Sequence, residues 1–153
     1  MPSFKTTRRV RHSADKMFDL VADVERYPEF VPLCKDLRVR SRRPDAQGRE
    51  TLIAEMSVGY KMIRETFTSR VLLDKPRLRV VVEYIDGPFR YLENIWIFRD
   101  EPEPQGSVVS FFIDYEFRSR TLGALMGGMF DQAFRKFAGA FEERADALYP
   151  EAP

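Results

Sequence analysis

The 153-residue chain is expected to fold as an α+β protein, a curved antiparallel sheet of about seven strands wrapped around one long C-terminal helix. Three observations predict this. Residues 119–149 place Leu122, Met126, Met129, Phe130, Ala133, Phe137, Phe141 and Leu148 on one helical face, and Asp131, Gln132, Arg135, Glu142, Glu143 and Asp146 on the other. At about 1.5 Å per residue that helix runs roughly 40 Å, and its apolar stripe needs a large concave partner. Second, Val109, Phe111, Ile113, Tyr115 and Phe117 alternate with Ser110, Asp114, Glu116 and Arg118, the period of a half-buried strand. Third, such segments recur every ~10–15 residues with turn chemistry between them, which argues for an antiparallel meander.

The elements follow in order. Residues 3–11 alternate Phe4, Thr6, Arg8 and Val10 with Lys5, Thr7, Arg9 and Arg11, a first strand with Arg8 as the misfit on its inner face. Ser13 is placed as a helix N-cap with Asp15 in the first turn, and Met17, Phe18, Leu20, Val21 and Val24 follow at helical spacing from about Ala14 to Asp23. Tyr27, Pro28, Phe30, Val31 and Pro32 belong to a second short helix or turn, bounded by its prolines. From Lys35 the period becomes two: Leu37 and Val39, then, after the turn 44–48, Leu52, Ala54, Met56 and Val58. Gly59-Tyr60 marks a bend. Residues 61–73 form a strand in which Phe67 and Val71 share a face with Glu65 and Ser69. After a turn at 74–76 come Val80, Val82 and Tyr84, then a turn at 86–88. Leu92, Asn94, Trp96 and Phe98 point inward next, before a loop at 102–106 and the strand Val109–Phe117. The order is strand, two helices, six strands and long helix, with one domain spanning 1–153.

Composition narrows the function classes. Hydrophobic residues make up 44% and charged residues 32%, the balance of an ordinary globular protein rather than a disordered one. A formal net charge of +1 assigns no partner, so any electrostatic surface must come from local clusters. The single cysteine, Cys34, excludes an intrachain disulfide and favours a reducing compartment. With a single histidine, His12, the usual zinc sites and Ser-His-Asp or Cys-His catalysis are hard to build; nothing in the spacing brings Cys34 and His12 together, and both are expected to be structural. No metal site is expected. No run reaches the ~20 apolar residues that span a bilayer, and the N-terminus lacks an apolar signal core. The expected location is cytoplasmic, with peripheral contact at the inner face of the cell membrane left open. Thirteen phenylalanines suit either a bulky core or an aromatic-lined cavity.

Specific words then resemble a known family. Asp23-Val24-Glu25-Arg26-Tyr27-Pro28-Glu29-Phe30-Val31-Pro32-Leu33-Cys34, Gly87-Pro88-Phe89 with Leu92 and Trp96-Ile97-Phe98, and Phe112-Ile113-Asp114-Tyr115-Glu116-Phe117-Arg118-Ser119 running into Ala140-Phe141-Glu142-Glu143-Arg144-Ala145 resemble the coenzyme Q-binding subfamily of START-like proteins. The order of elements is similar to the helix-grip fold of START lipid-transfer domains, plant allergens and polyketide cyclases. The resemblance implies a ligand between sheet and C-terminal helix. Its wall would be Met56, Phe67, Tyr84, Trp96, Phe111, Ile113 and Tyr115, with Tyr27 and Phe30 beside them and Leu125, Met129, Ala133 and Phe137 as a lid. It implies ubiquinone or a related isoprenoid lipid as bound ligand, with no catalytic cofactor, in support of respiratory electron transport. Tyrosine hydroxyls would meet the quinone carbonyls, and adaptable methionines the tail. A filled aromatic core with no ligand uses the same residues. The subfamily also includes ribosome-association toxins, so the large ribosomal subunit is the alternative partner.

Two further features carry expectations. The uncharged stretch Thr121–Phe130 holds three glycines, and Gly127 and Gly128 are read as a gate, by close backbone approach or local opening. Lys5, Arg9 and Arg11 with Arg38, Arg40 and Arg42 make one cationic patch if the strands that carry them pair, as the resemblance implies. Such a patch suits anionic headgroups or ribosomal RNA, and equally a solvated edge that deters aggregation. Enzyme activity is not expected, because the inward polar candidates are only Arg8, Glu65 and Asn94.

Overall fold

Strand β7 (Gly106–Phe117) shows why the chain folds as it does: its inward residues are all buried and its outward ones half-exposed. The computed structural model describes residues 3–60, 62–102 and 105–149. Strands β1 (Ser3–Val10), β2 (Cys34–Pro44), β3 (Arg49–Tyr60), β4 (Ile63–Asp74), β5 (Arg79–Asp86) and β6 (Phe89–Glu101) join β7 in one sheet of order β1-β7-β6-β5-β4-β3-β2. All neighbours are antiparallel, so β2 to β7 form the expected meander. Residue 61 of the expected strand 61–73, and residues 103 and 104 of the expected loop 102–106, lie outside the described residues.

The first strand departs from expectation. β1 runs antiparallel to β7, from Ser3 opposite Asp114 to Val10 opposite Ser107, and β2 pairs only with β3. β1 and β2 therefore occupy opposite edges of the sheet and do not pair. Alternation fixes which face a strand buries, not which neighbour it takes.

Helix α1 (Ala14–Ala22) starts where Ser13 Oγ accepts from the Lys16 amide at 3.2 Å and Asp100 accepts from the Ala14 amide at 2.8 Å. A 3-10 segment, Val24–Glu29, leads back to β2. Helix α2 (Arg120–Leu148) is capped by Ser119, whose Oγ accepts from the Leu122 amide at 3.2 Å. Its buried residues are Met126, Phe130, Ala133, Phe134, Ala138, Phe141 and Ala145. Leu148, assigned to this face by sequence, is instead 49% exposed on the last turn.

One glycine is demanded by the fold. Gly87, in the β5–β6 turn, has φ +144°, and a Cβ there would stand 2.5 Å from Phe67 Cβ.

Candidate functional site

Helix α2 packs on the β7 and β1 side of the sheet rather than along its middle. That off-centre placement leaves the inner faces of β3 and β4 with little helical contact, while α1 packs against β5 and β6, and a cavity of about 90 Å³ lies under the inner side of α2. Its floor is Ala54, Met56 and Val58 on β3, Phe67, Ser69 and Val71 on β4, Val80 and Val82 on β5, and Leu92, Asn94 and Trp96 on β6, with Ile113 from β7. Phe130, Ala133, Phe134, Phe137 and Phe141 of α2 close it above, and Val24, Tyr27, Pro32, Leu33 and Leu37 close one end. Leu33 holds φ 67°, a left-handed conformation that costs a leucine roughly 1–2 kcal/mol, and its carbonyl accepts from the Gly59 amide at 3.0 Å. Edge-to-face rings brace the roof: Trp96 meets Phe141 with centroids 4.9 Å apart, and Phe134 meets Phe137 at 5.2 Å.

The lining is almost wholly apolar, with Tyr27, Ser69 and Asn94 as its polar side chains. Tyr27 donates its hydroxyl to Val21 O, and burial pushes its phenol pKa well up. Asn94 donates Nδ2 to Phe112 O at 2.8 Å and accepts from Trp96 Nε1 at 3.1 Å. Ser69 Oγ is buried and has no hydrogen-bond partner among the described residues. No carboxylate, histidine, lysine or cysteine stands among the described lining residues.

Residues 10–142 match the family described as polyketide cyclase/dehydrase and lipid transport. The chain belongs to this family. A ribosome association toxin RatA of Rickettsia prowazekii is 34% identical over 148 residues, which cover 95% of this chain and 97% of that protein. The mitochondrial coenzyme Q-binding protein COQ10 of Dictyostelium discoideum is 26% identical over 144 residues, 94% of this chain and 68% of that protein. An 18 kDa protein of Caulobacter crescentus, known from its solution structure, superposes with a TM-score of 0.79 at 34% identity, covering 99% of this chain and 100% of the other. The curved seven-stranded antiparallel sheet with its long C-terminal helix is the START-like, helix-grip arrangement.

Seven of the residues singled out from sequence line this family member's cavity: Tyr27, Met56, Phe67, Trp96, Ile113, Ala133 and Phe137. The others lie off it, for identifiable reasons. Phe111 is sealed between Trp96, Phe4 and Phe137, and Tyr115 between Phe89, Phe130 and Phe134, because both stand where α2 sits directly on β7. Tyr84 accepts from the Phe89 amide at 3.0 Å and packs on the Phe89 ring. Phe30 is wedged against Tyr27 and Phe141 under the Arg144 guanidinium. Met129 is half-buried beside the core and does not line the cavity. Leu125 is 60% exposed; the helix turns its neighbour Met126 inward instead. Of the tyrosines expected at the ligand, Tyr27 lines the cavity, with its hydroxyl donated to Val21 O, while Tyr84 and Tyr115 lie off it. Phe134 and Phe130 were missed as cavity residues, although Phe134 falls four residues after Phe130 and seven before Phe141 on one face.

The cationic patch does not assemble as expected, since its two strands are at opposite sheet edges. Among the described residues, several of its arginines also hold carboxylates: Arg11 with Asp146 (3.1 Å), Arg38 with Asp36 (3.2 Å), Arg40 with Glu55 (2.6 Å) and Arg42 with Glu25 (2.8 Å). Arg8, the inner-face misfit, reaches Glu142 of α2 at 2.8 Å. At Gly127 and Gly128 an added Cβ would meet nothing within 4 Å, so no chain approaches the helix closely there. His12 is buried with Nε2 2.7 Å from Asp146 Oδ1, and the buried Cys34 thiol is pushed up to about 12 by burial, with Asp36 adding to it.

Proposed function

We propose that this protein is a non-enzymatic carrier or chaperone for ubiquinone or a closely related isoprenoid lipid, held between the sheet and α2. The observation that carries the reading is the cavity: enclosed by helix and sheet, apolar throughout its aromatic roof, and supplied with only isolated polar groups. Its ~90 Å³ is less than the ~150 Å³ that accepts a benzene-sized guest. Binding therefore includes displacement of roof rings such as Phe134 and Phe137, or movement of α2 away from the β3–β5 side where it makes little contact. The uncharged helix start around Gly127 and Gly128 is the gate that permits it. General acid–base chemistry needs titratable groups at the reacting atoms, and the described lining offers only the Tyr27 phenol, whose hydroxyl is already donated to Val21 O. In this reading the protein is a single cytoplasmic domain that visits the inner face of the membrane and supports respiratory electron transport.

A second reading rests on kinship. The relative at 34% identity, matched over nearly its whole length, is named for ribosome association. Here the chain would bind the large ribosomal subunit and inhibit translation, with its arginine-rich edges as contact surface. The two readings separate in a paired assay. Titration with ubiquinone carrying one isoprene unit is expected to quench the sole tryptophan, Trp96, which lines the cavity. Co-sedimentation with isolated large subunits, without quinone binding, overturns the first reading in favour of the second.

A further inference from the structure

Of the three polar side chains on the cavity wall, two are already engaged: Tyr27 with Val21 O, and Asn94 with both Phe112 O and Trp96 Nε1. Ser69 differs. It is 5% exposed, and its Oγ makes no hydrogen bond among the described residues. Burying a hydroxyl without a partner is unfavourable relative to alanine of nearly the same shape. Its neighbours give no packing reason for an oxygen: Ala54 and Tyr84 stand opposite it across the ladders, and Phe67 and Val71 flank it on its own face. The β4–β5 register also shifts at this residue, from Thr68 opposite Asp86 to Ser69 opposite Tyr84, leaving Ile85 as the extra residue. Such a bulge re-aims the side chains beside it.

We propose that Ser69 is the specificity-determining donor of the cavity, its hydroxyl hydrogen-bonding a carbonyl oxygen of an otherwise apolar ligand. This rests on the reading of the cavity as a ligand site and deepens it. A carbonyl suits the geometry better than an alcohol. A ligand hydroxyl would bring a second proton into a wall whose acceptors are largely spoken for, whereas a carbonyl needs only the proton that Ser69 has free. In an apolar enclosure a carbonyl stripped of water and given no donor binds worse than a hydrocarbon of its size, so one hydroxyl sorts oxygenated from plain isoprenoids.

The test uses the full chain, two variants and two probes, ubiquinone with one isoprene unit and the hydrocarbon farnesene, followed by calorimetry. Ser69→Ala is expected to weaken quinone binding roughly three- to tenfold, leave farnesene binding unchanged, and hold or raise Tm. Ser69→Thr keeps the hydroxyl and is expected to stay within about twofold of the parent for the quinone. If Ser69→Ala binds the quinone as the parent does, the donor role is wrong while the cavity reading stands. A loss of both probes together with a lowered Tm makes the hydroxyl structural and also overturns the proposal. If the parent chain binds neither probe, the cavity reading falls and this inference falls with it.

Discussion

Trp96 donates its indole N–H to Asn94 Oδ1 at 3.1 Å, and both residues line the same cavity, two positions apart on β6. The pair fixes the ring that faces the helix roof, since Trp96 is 3% exposed and offers its N–H no water. Replacing Asn94 by leucine keeps the volume near that of the parent but strands this donor, at a cost of about 1–3 kcal/mol. The expected outcome is a Tm lower by several degrees and a shifted Trp96 emission, read by thermal denaturation and fluorescence. An unchanged Tm would mean that the indole finds another partner.

Ala133 stands on the roof of the cavity, 7% exposed. Ala133→Leu puts side-chain volume where the ligand is proposed to lie. Cavity filling is expected to stabilise the fold by roughly 0.5–2 kcal/mol while reducing quinone affinity at least tenfold. Higher stability with undiminished binding would place the ligand elsewhere. Lower stability would mean overpacking against the β-sheet floor.

Gly127 and Gly128 face open space, so alanine fits at both. The double variant is expected to gain up to about 1 kcal/mol per site from helix propensity and to slow quinone transfer between vesicles. Transfer at the parent rate alongside the raised Tm would remove the gate from the account.

Asp146 gives a pH signature. Its carboxyl is held below the ordinary 3.8, chiefly by the hydrogen bond with His12 and, against the opposing effect of burial, by Arg11. A carboxyl depressed by folding contributes stability above its unfolded pKa and loses it as pH falls through the folded value. Asp146→Asn is therefore expected to lower Tm near neutral pH, with the gap from the parent closing below about pH 4. The carboxylate is 42% exposed, so the effect is small and shrinks with added salt. A gap that persists unchanged in acid would assign the loss to packing instead.

Sequence was most legible where one physical period ruled. In β7 every inward residue from Val109 to Phe117 is buried, as its alternation required, and β2 to β6 follow in the expected antiparallel order. The stripe of α2 was legible at its centre, Phe130, Ala133 and Phe141, and failed at its margins. There a step of one residue turns the side chain by about 100°, which separates exposed Leu125 from buried Met126. The partner of β1 was not legible, because period two specifies faces and not neighbours. Nor was the cavity's position: it follows from α2 lying toward β1 and β7, a tertiary offset that no local pattern encodes. For that reason Phe111 and Tyr115 are sealed core rather than cavity wall. The solitary hydroxyl of Ser69 was visible as a polar residue between Phe67 and Val71, yet only its enclosure without a partner gives it meaning.

The most direct measurement of the central claim is mass spectrometry of lipid carried by the protein. Purified chain would be incubated with phospholipid vesicles containing ubiquinone, re-isolated by size exclusion and extracted with solvent. The account expects quinone at about one equivalent per chain, enriched far above its fraction in the vesicles, and lost in Ala133→Leu. Re-isolated protein with no quinone, or with quinone no more abundant than the vesicle composition dictates, would contradict it.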